Sequence, residues 1–176
     1  MPRLPDLIGP ADLARFGYEA AAATKAAAAS ARVRRHTRQQ ITAGTSRLTL
    51  AGPGPWRLPQ RPVRAITSLT DADGTPVPFT RNGSHLTATA CGPLVVVYEH
   101  GWPELPDELA ELVCSIAARL AAIPDAMLTG ARTEQAGGES VTWGTDAYAG
   151  TTGLTSAEAD ALDALFPTLP RSTRLY

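Results

Sequence analysis

Lysine is almost missing from this chain. Of its sixteen basic residues fifteen are arginine, Lys25 is the only lysine, and Asn82 is the only asparagine. With alanine, glycine and proline abundant, this pattern reads as the coding bias of a GC-rich genome rather than as selection for bidentate guanidinium chemistry. Cysteine is scarce too. Cys91 and Cys114 stand alone with no C-x-x-C, which argues against a disulfide scaffold and against a zinc site. No run approaches the roughly 18 apolar residues that a membrane helix needs. Met1-Pro2-Arg3-Leu4-Pro5-Asp6 does not open like a signal peptide, so a soluble protein of a reducing compartment is expected. Neither sign of charge dominates. Sixteen basic against seventeen acidic residues leave a net charge of −1, too balanced for a surface that grips nucleic acid all over.

What remains is a globular composition. In 176 residues, 44% are hydrophobic and 19% charged, enough for one domain with a hydrophobic core. Fifteen glycines and fifteen prolines promise many turns and short elements. Charge is divided along the chain. Between Ala20 and Thr70 there are nine basic residues and no acidic one, whereas Glu99 to Asp163 holds twelve acidic residues against Arg119 and Arg132. Such a division either pairs within the fold or gives a near-neutral molecule two unlike faces that steer copies together.

Residues 10–16 read as a short helix stopped by Gly17. The Ala-rich stretch from Tyr18 to about Gln40 places Ala22, Ala26, Ala29, Val33 and Thr37 on one face, a seam that allows a neighbour to come close. From Arg47 to Tyr98 the period shortens. Strands are expected at 48–50, 63–69, 77–80, 84–89 and 94–98, with Asp73-Gly74 and Asn82-Gly83 as turns. Leu109, Leu112, Val113, Ile116, Ala117, Leu120 and Ile123 recur at helical spacing within 106–123, the expected central helix. Residues 125–153 form a long Gly-rich stretch without a period, read as a functional loop. Thr155-Ser156-Ala157-Glu158 is a capping box opening a last helix over 155–166. Residues 167–176 form an extended docking tail. The fold expected is mainly α with a β insertion at 47–98: about four helices in a small bundle plus a small antiparallel sheet, in one domain spanning 1–166.

Catalytic patterns are absent. G-x-G-x-x-G, Walker A, G-x-S-x-G and H-E-x-x-H do not occur. His36, His85 and His100 lie far apart without metal-like spacing, and Cys114 inside an apolar helix reads as a buried, inert thiol. Asp107, Glu108 and Glu111 are the charge set of a helix start. Asn82-Gly83-Ser84 matches a glycosylation acceptor, but the turn reading prevails without a secretory signal. No enzyme, metal or cofactor is expected. The segment Arg32-Val33-Arg34-Arg35-His36-Thr37-Arg38 leaves one alternative, a small nucleic-acid-binding module. Its arginines spread around the helix with no aromatic interleaved for base stacking.

Four segments together resemble the head-to-tail adaptor (head–tail connector) proteins of long-tailed, siphophage-type bacteriophages. They are the Ala-rich second helix ending in arginines; Leu58-Pro59-Gln60-Arg61-Pro62-Val63; Val97-Tyr98-Glu99-His100-Gly101-Trp102-Pro103-Glu104-Leu105-Pro106-Asp107-Glu108-Leu109; and Gly153-Leu154-Thr155-Ser156-Ala157-Glu158. The likeness covers most of residues 6–166. It implies a structural virion protein of the neck, made in the host cytoplasm and assembled as a ring of twelve copies. Such a ring sits between the portal protein and the stopper, head-completion or tail-terminator protein, and continues the channel for DNA ejection. Double-stranded DNA passes through it without sequence-specific binding, and no membrane is involved. The resemblance assigns portal docking to Leu169, Arg171, Arg174, Leu175 and Tyr176. A conduit keeps its arginines off the lumen, since a dozen phosphate contacts would give a salt slope on the order of −10, that of a tight DNA binder. Arg34, Arg35 and Arg38 are therefore expected in inter-subunit or portal contacts, with acids of 99–163 nearer the bore.

Overall fold

Hydrophobic periodicity sorts this chain into helical stretches at its two ends and strands between them. The computed structural model describes residues 4–123, 133–136, 139–142 and 153–167. Helix α1 spans Pro10–Arg15, a 3-10 helix Ala20–Lys25, and α2 Ala26–Thr37. Strands β1 (Gly44–Leu50), β2 (Trp56–Arg57), β3 (Val63–Thr70), β4 (Thr80–Asn82), β5 (His85–Thr87) and β6 (Leu94–His100) follow. After them come α3 (Asp107–Ala122), β7 (Thr133–Ala136), β8 (Glu139–Thr142) and α4 (Ser156–Leu165). The chain divides into two compact units: residues 1–5 with 38–106, and residues 6–37 with 107–176.

In the helical unit α1 and α4 each start at a local signal. Pro10, with no N–H to lose, occupies the first turn of α1, and the Asp12 carboxylate accepts the Gly9 N–H at 2.8 Å. Gly17, at φ 77°, lets the chain leave that helix. The expected single helix from Tyr18 is divided: Ala20–Lys25 wind as a 3-10 helix, where Thr24 Oγ1 donates to the carbonyl of Ala21 three residues back. The small-residue seam is nevertheless buried, with Ala22, Ala26, Ala29 and Val33 at most 5% exposed. Ser30 within it accepts the Leu7 N–H at 2.8 Å and donates to the Ala26 carbonyl at 2.7 Å, which ties the N-terminal segment down. Helix α3 buries Leu109, Val113, Ile116, Ala117 and Leu120, and also Ala110 and Cys114. Helix α4 starts at the capping box: Thr155 Oγ1 accepts the Glu158 N–H at 3.2 Å, and Glu158 Oε2 accepts the Thr155 N–H at 2.8 Å. Leu162 is its buried residue, and Phe166 at its C-cap is buried as well.

The other unit corrects the expected fold class. The chain is mixed α/β rather than mainly α, because two three-stranded antiparallel sheets form where one small sheet is expected. In the first, β6 is central, paired with β1 from Gly44↔His100 to Leu50↔Leu94 and with β3 on its other side. In the second, β5 lies between β2 and β4. Strand β2 has only two residues, set between prolines, and exists because Trp56 and Arg57 pair with Leu86 and His85. That partner is nearly thirty residues away, so local pattern gives no signal for it. Leu94, Val96 and Tyr98 of β6 join Leu50, Leu58, Leu69, Leu86 and Ala88 in one buried cluster, the core that a pair of sheets creates. The β4–β5 turn is also displaced by one residue. Asn82 pairs with His85, so Gly83 and Ser84 form the two-residue loop, and only Gly83 has positive φ, 57°. Glycine at the first central position is the type II′ pattern.

Candidate interaction surfaces

Helix α2 repeats charge as well as alanine. Arg32, Arg35 and His36 fall at spacings of three and four and therefore share a face. They form one wall of a cavity of about 400 Å³ whose other wall is Gly153, Leu154 and Ala159 at the start of α4. Next to it, the Arg119 guanidinium donates from Nε to Glu158 Oε1 and from Nη2 to Glu158 Oε2, each at 2.8 Å, and from Nη2 to the Gly153 carbonyl at 3.0 Å. His36 Nε2 lies 3.0 Å from Asp163 Oδ1. Burial lowers the pKa of Arg32, and the like charges of Arg119 and Arg35 lower it further, against an opposing pull from Glu158. Burial by itself would raise the Glu158 carboxyl, but hydrogen bonds from Arg119 and from the Thr155 N–H, with the Arg119 charge, leave it below the usual value. This corner of the helical unit gathers Arg32, Arg35, His36 and Arg119 around the carboxylates of Glu158 and Asp163.

A second concavity in the same unit carries the opposite charge. Tyr18, Glu108, Glu111, Leu112, Ser115 and Leu165 line a groove of about 270 Å³, with Ala161 between. Glu108 and Glu111 are exposed, and neither has an ion-pair partner among the described residues, whereas the neighbouring Asp107 is bound by Arg15.

The expected contact arginines fall in both units. Arg34 and Arg35 lie in the last turn of α2, in the helical unit, and Arg38 lies in the sheet unit with φ 55°. Arg34 is half-buried, and desolvation lowers its pKa against the favourable charge of Asp6. Arg35 and Arg38 are exposed. Leu169, Arg171, Arg174, Leu175 and Tyr176 lie outside the described residues, as does most of the 125–153 stretch. Sequence reasoning missed the Arg32–Arg35–His36 cavity, since its second wall comes from more than a hundred residues away. The spacing of the three cations was the available signal.

In the sheet unit His100 Nε2 lies 2.9 Å from the Ser46 hydroxyl, the distance of a nucleophile and its base. Catalysis needs access and an orienting group. His100 is 0% exposed, and its Nδ1 has no hydrogen-bond partner among the described residues. Burial lowers its pKa, which favours the neutral ring. The Tyr98 hydroxyl accepts the Gln60 N–H at 3.3 Å, and its ring centroid lies 5.6 Å from that of His100. The cluster pins β1 and the 58–62 segment to β6. Among the described residues no group of three or more His, Cys, Asp or Glu is placed to hold a metal ion.

No protein-family model matches the chain, and no curated protein matches it. Solved structures do. A chain of the virion of a native gene transfer agent (GTA) particle superposes with a TM-score of 0.50 at 19% identity, over 95% of this chain and 96% of that one. The fold is shared with a virion chain. A chain from the neck of an empty GTA particle, computed with C6 symmetry, gives a TM-score of 0.49 at 22% identity, covering 84% of this chain and 90% of that one. Another, from the neck of a native GTA particle computed with C12 symmetry, gives 0.47 at 21% identity, covering 88% and 96%.

Proposed function

We propose that this chain is a structural protein of the neck of a phage-like particle: a head-to-tail adaptor. Twelve copies form a ring between the portal and the stopper or tail, and the ring continues the DNA channel. The observation that carries this reading is the fold shared with a virion chain over nearly the whole length of both. It agrees with the four adaptor-like segments of the sequence. The two oppositely charged concavities suit the role, because a closed head-to-tail ring needs two different, complementary surfaces on each subunit.

On this reading the side chains hold neighbours rather than transform a substrate. Arg34, Arg35 and Arg38 serve subunit or portal contacts, the lumen is lined by neutral and acidic groups, and Leu169, Arg171, Arg174, Leu175 and Tyr176 dock on the portal. Electron microscopy of the full chain mixed with portal rings tests it. A twelvefold collar on the portal's tail-facing end is the expected result; portal rings that stay bare overturn it.

A further inference from the structure

Helix α4 separates the two concavities. Ala159 lines the cationic one and Ala161 the acidic one, and residues two apart on a helix point about 200° from each other. The charges on the two sides have the same spacing. Arg32 and Arg35 are three residues apart on α2; Glu108 and Glu111 are three residues apart on α3. At that spacing side chains stand about 5–6 Å apart along a helix, so a pair of carboxylates on one copy matches a pair of guanidiniums on another.

We infer that copies of this chain associate head to tail by seating Glu108 and Glu111 of one copy at the Arg32–Arg35 cavity of the next. The inference rests on the ring reading above and names the surfaces that close it. Each side supplies apolar area next to its charges, Leu112 and Leu165 at the groove and Leu154 at the cavity, so docking removes water from the ion pairs and strengthens them. Arg32 lies within the field of Arg35 and Arg119, opposed by that of Glu158, and arriving carboxylates add to that opposing charge. Duplex DNA fits the cavity less well. A phosphate backbone carries charge continuously, whereas α2 presents a pair of arginines here and Arg34 lies in the field of Asp6.

Charge reversal on the full-length chain tests the inference, with Arg35 and Glu111 chosen because both are exposed. Sedimentation at low ionic strength is expected to show wild-type self-association that weakens in about 0.5 M salt, where charges are screened beyond a few ångströms. Arg35→Glu and Glu111→Arg each weaken it about tenfold, and the doubly reversed chain recovers most of the loss. With Cys91→Ser as background, Arg35→Cys and Glu111→Cys in one chain give disulfide-linked multimers on oxidation. Self-association indifferent to both reversals overturns the inference, as does a chain monomeric up to millimolar concentration. Binding of a short DNA duplex that Arg35→Glu abolishes assigns the cavity to nucleic acid and overturns it too. These failures leave the adaptor reading standing, since that reading falls only if portal rings stay bare.

Discussion

Arg119 grips both carboxylate oxygens of Glu158, at 2.8 Å each, across 39 residues of sequence. The same carboxylate also accepts the Thr155 N–H, so one side chain caps α4 and ties it to α3. Removing it leaves a partly buried guanidinium without its carboxylate and a helix start without half of its capping box. Glu158→Ala is expected to cost about 2–3 kcal/mol, and Thr155→Ala about 1 kcal/mol, in denaturant unfolding. The Glu158 pKa is lowered in the fold, so its contribution is present above the ordinary carboxylate range. It is lost as pH falls through that lowered value. Glu158→Ala therefore narrows its deficit against wild type in acid.

His100 acts in the adjoining pH range. Its folded pKa lies below the ordinary 6.5, so between the two values the unfolded chain binds the extra proton. Stability from this group is complete above about pH 6.5 and declines below it, by at most about 1.4 kcal/mol per pH unit. His100→Gln keeps an amide near Ser46 without a titrating ring. Thermal unfolding from pH 7 to pH 5 should show a flatter decline for the variant than for wild type.

Two glycines with similar backbone angles predict opposite tolerance. Gly101 has φ 76°, and a Cβ there would lie 2.2 Å from the Thr42 carbonyl oxygen; Gly74 has φ 83° with nothing within 4 Å. Gly74→Ala should cost about 1–2 kcal/mol, the left-handed penalty alone. Gly101→Ala adds a clash with backbone that cannot yield and should cost about 3–5 kcal/mol, or prevent folding. Circular dichroism melts of the two variants decide.

The two cysteines should react differently. Cys91 is exposed and Cys114 buried. Burial, with the charges of Asp12 and Glu111, pushes the Cys114 thiol up to about 11. A maleimide at neutral pH should label one thiol in the native chain and two in denaturant, because the thiolate is the nucleophile.

What could be read from sequence follows the range of the forces involved. The capping box at Thr155 and Glu158 and the apolar repeat of α3 are local, and both were plain in the residues. So was the Ala22–Ala26–Ala29–Val33 seam, although not its break into a 3-10 turn. Of the second sheet the β4–β5 hairpin was legible and β2 was not, since Trp56 and Arg57 become a strand only through a partner elsewhere in the chain. The hairpin turn was recognised from Asn82-Gly83, but cross-strand register moved it by one residue. The functional surfaces divide likewise. The arginines of α2 could be counted in the sequence; that Arg32, Arg35 and His36 face a wall from Gly153 and Leu154 required the fold.

The sheet unit has a further consequence through its endpoints. The chain enters it at residue 38 and leaves at 106, and close to those points Thr42 bridges to Trp102 while Gly44 faces His100. Its doorway in and its doorway out are thus next to each other. A cassette attached in this way can be exchanged for a longer or shorter one without cutting the helices that flank it.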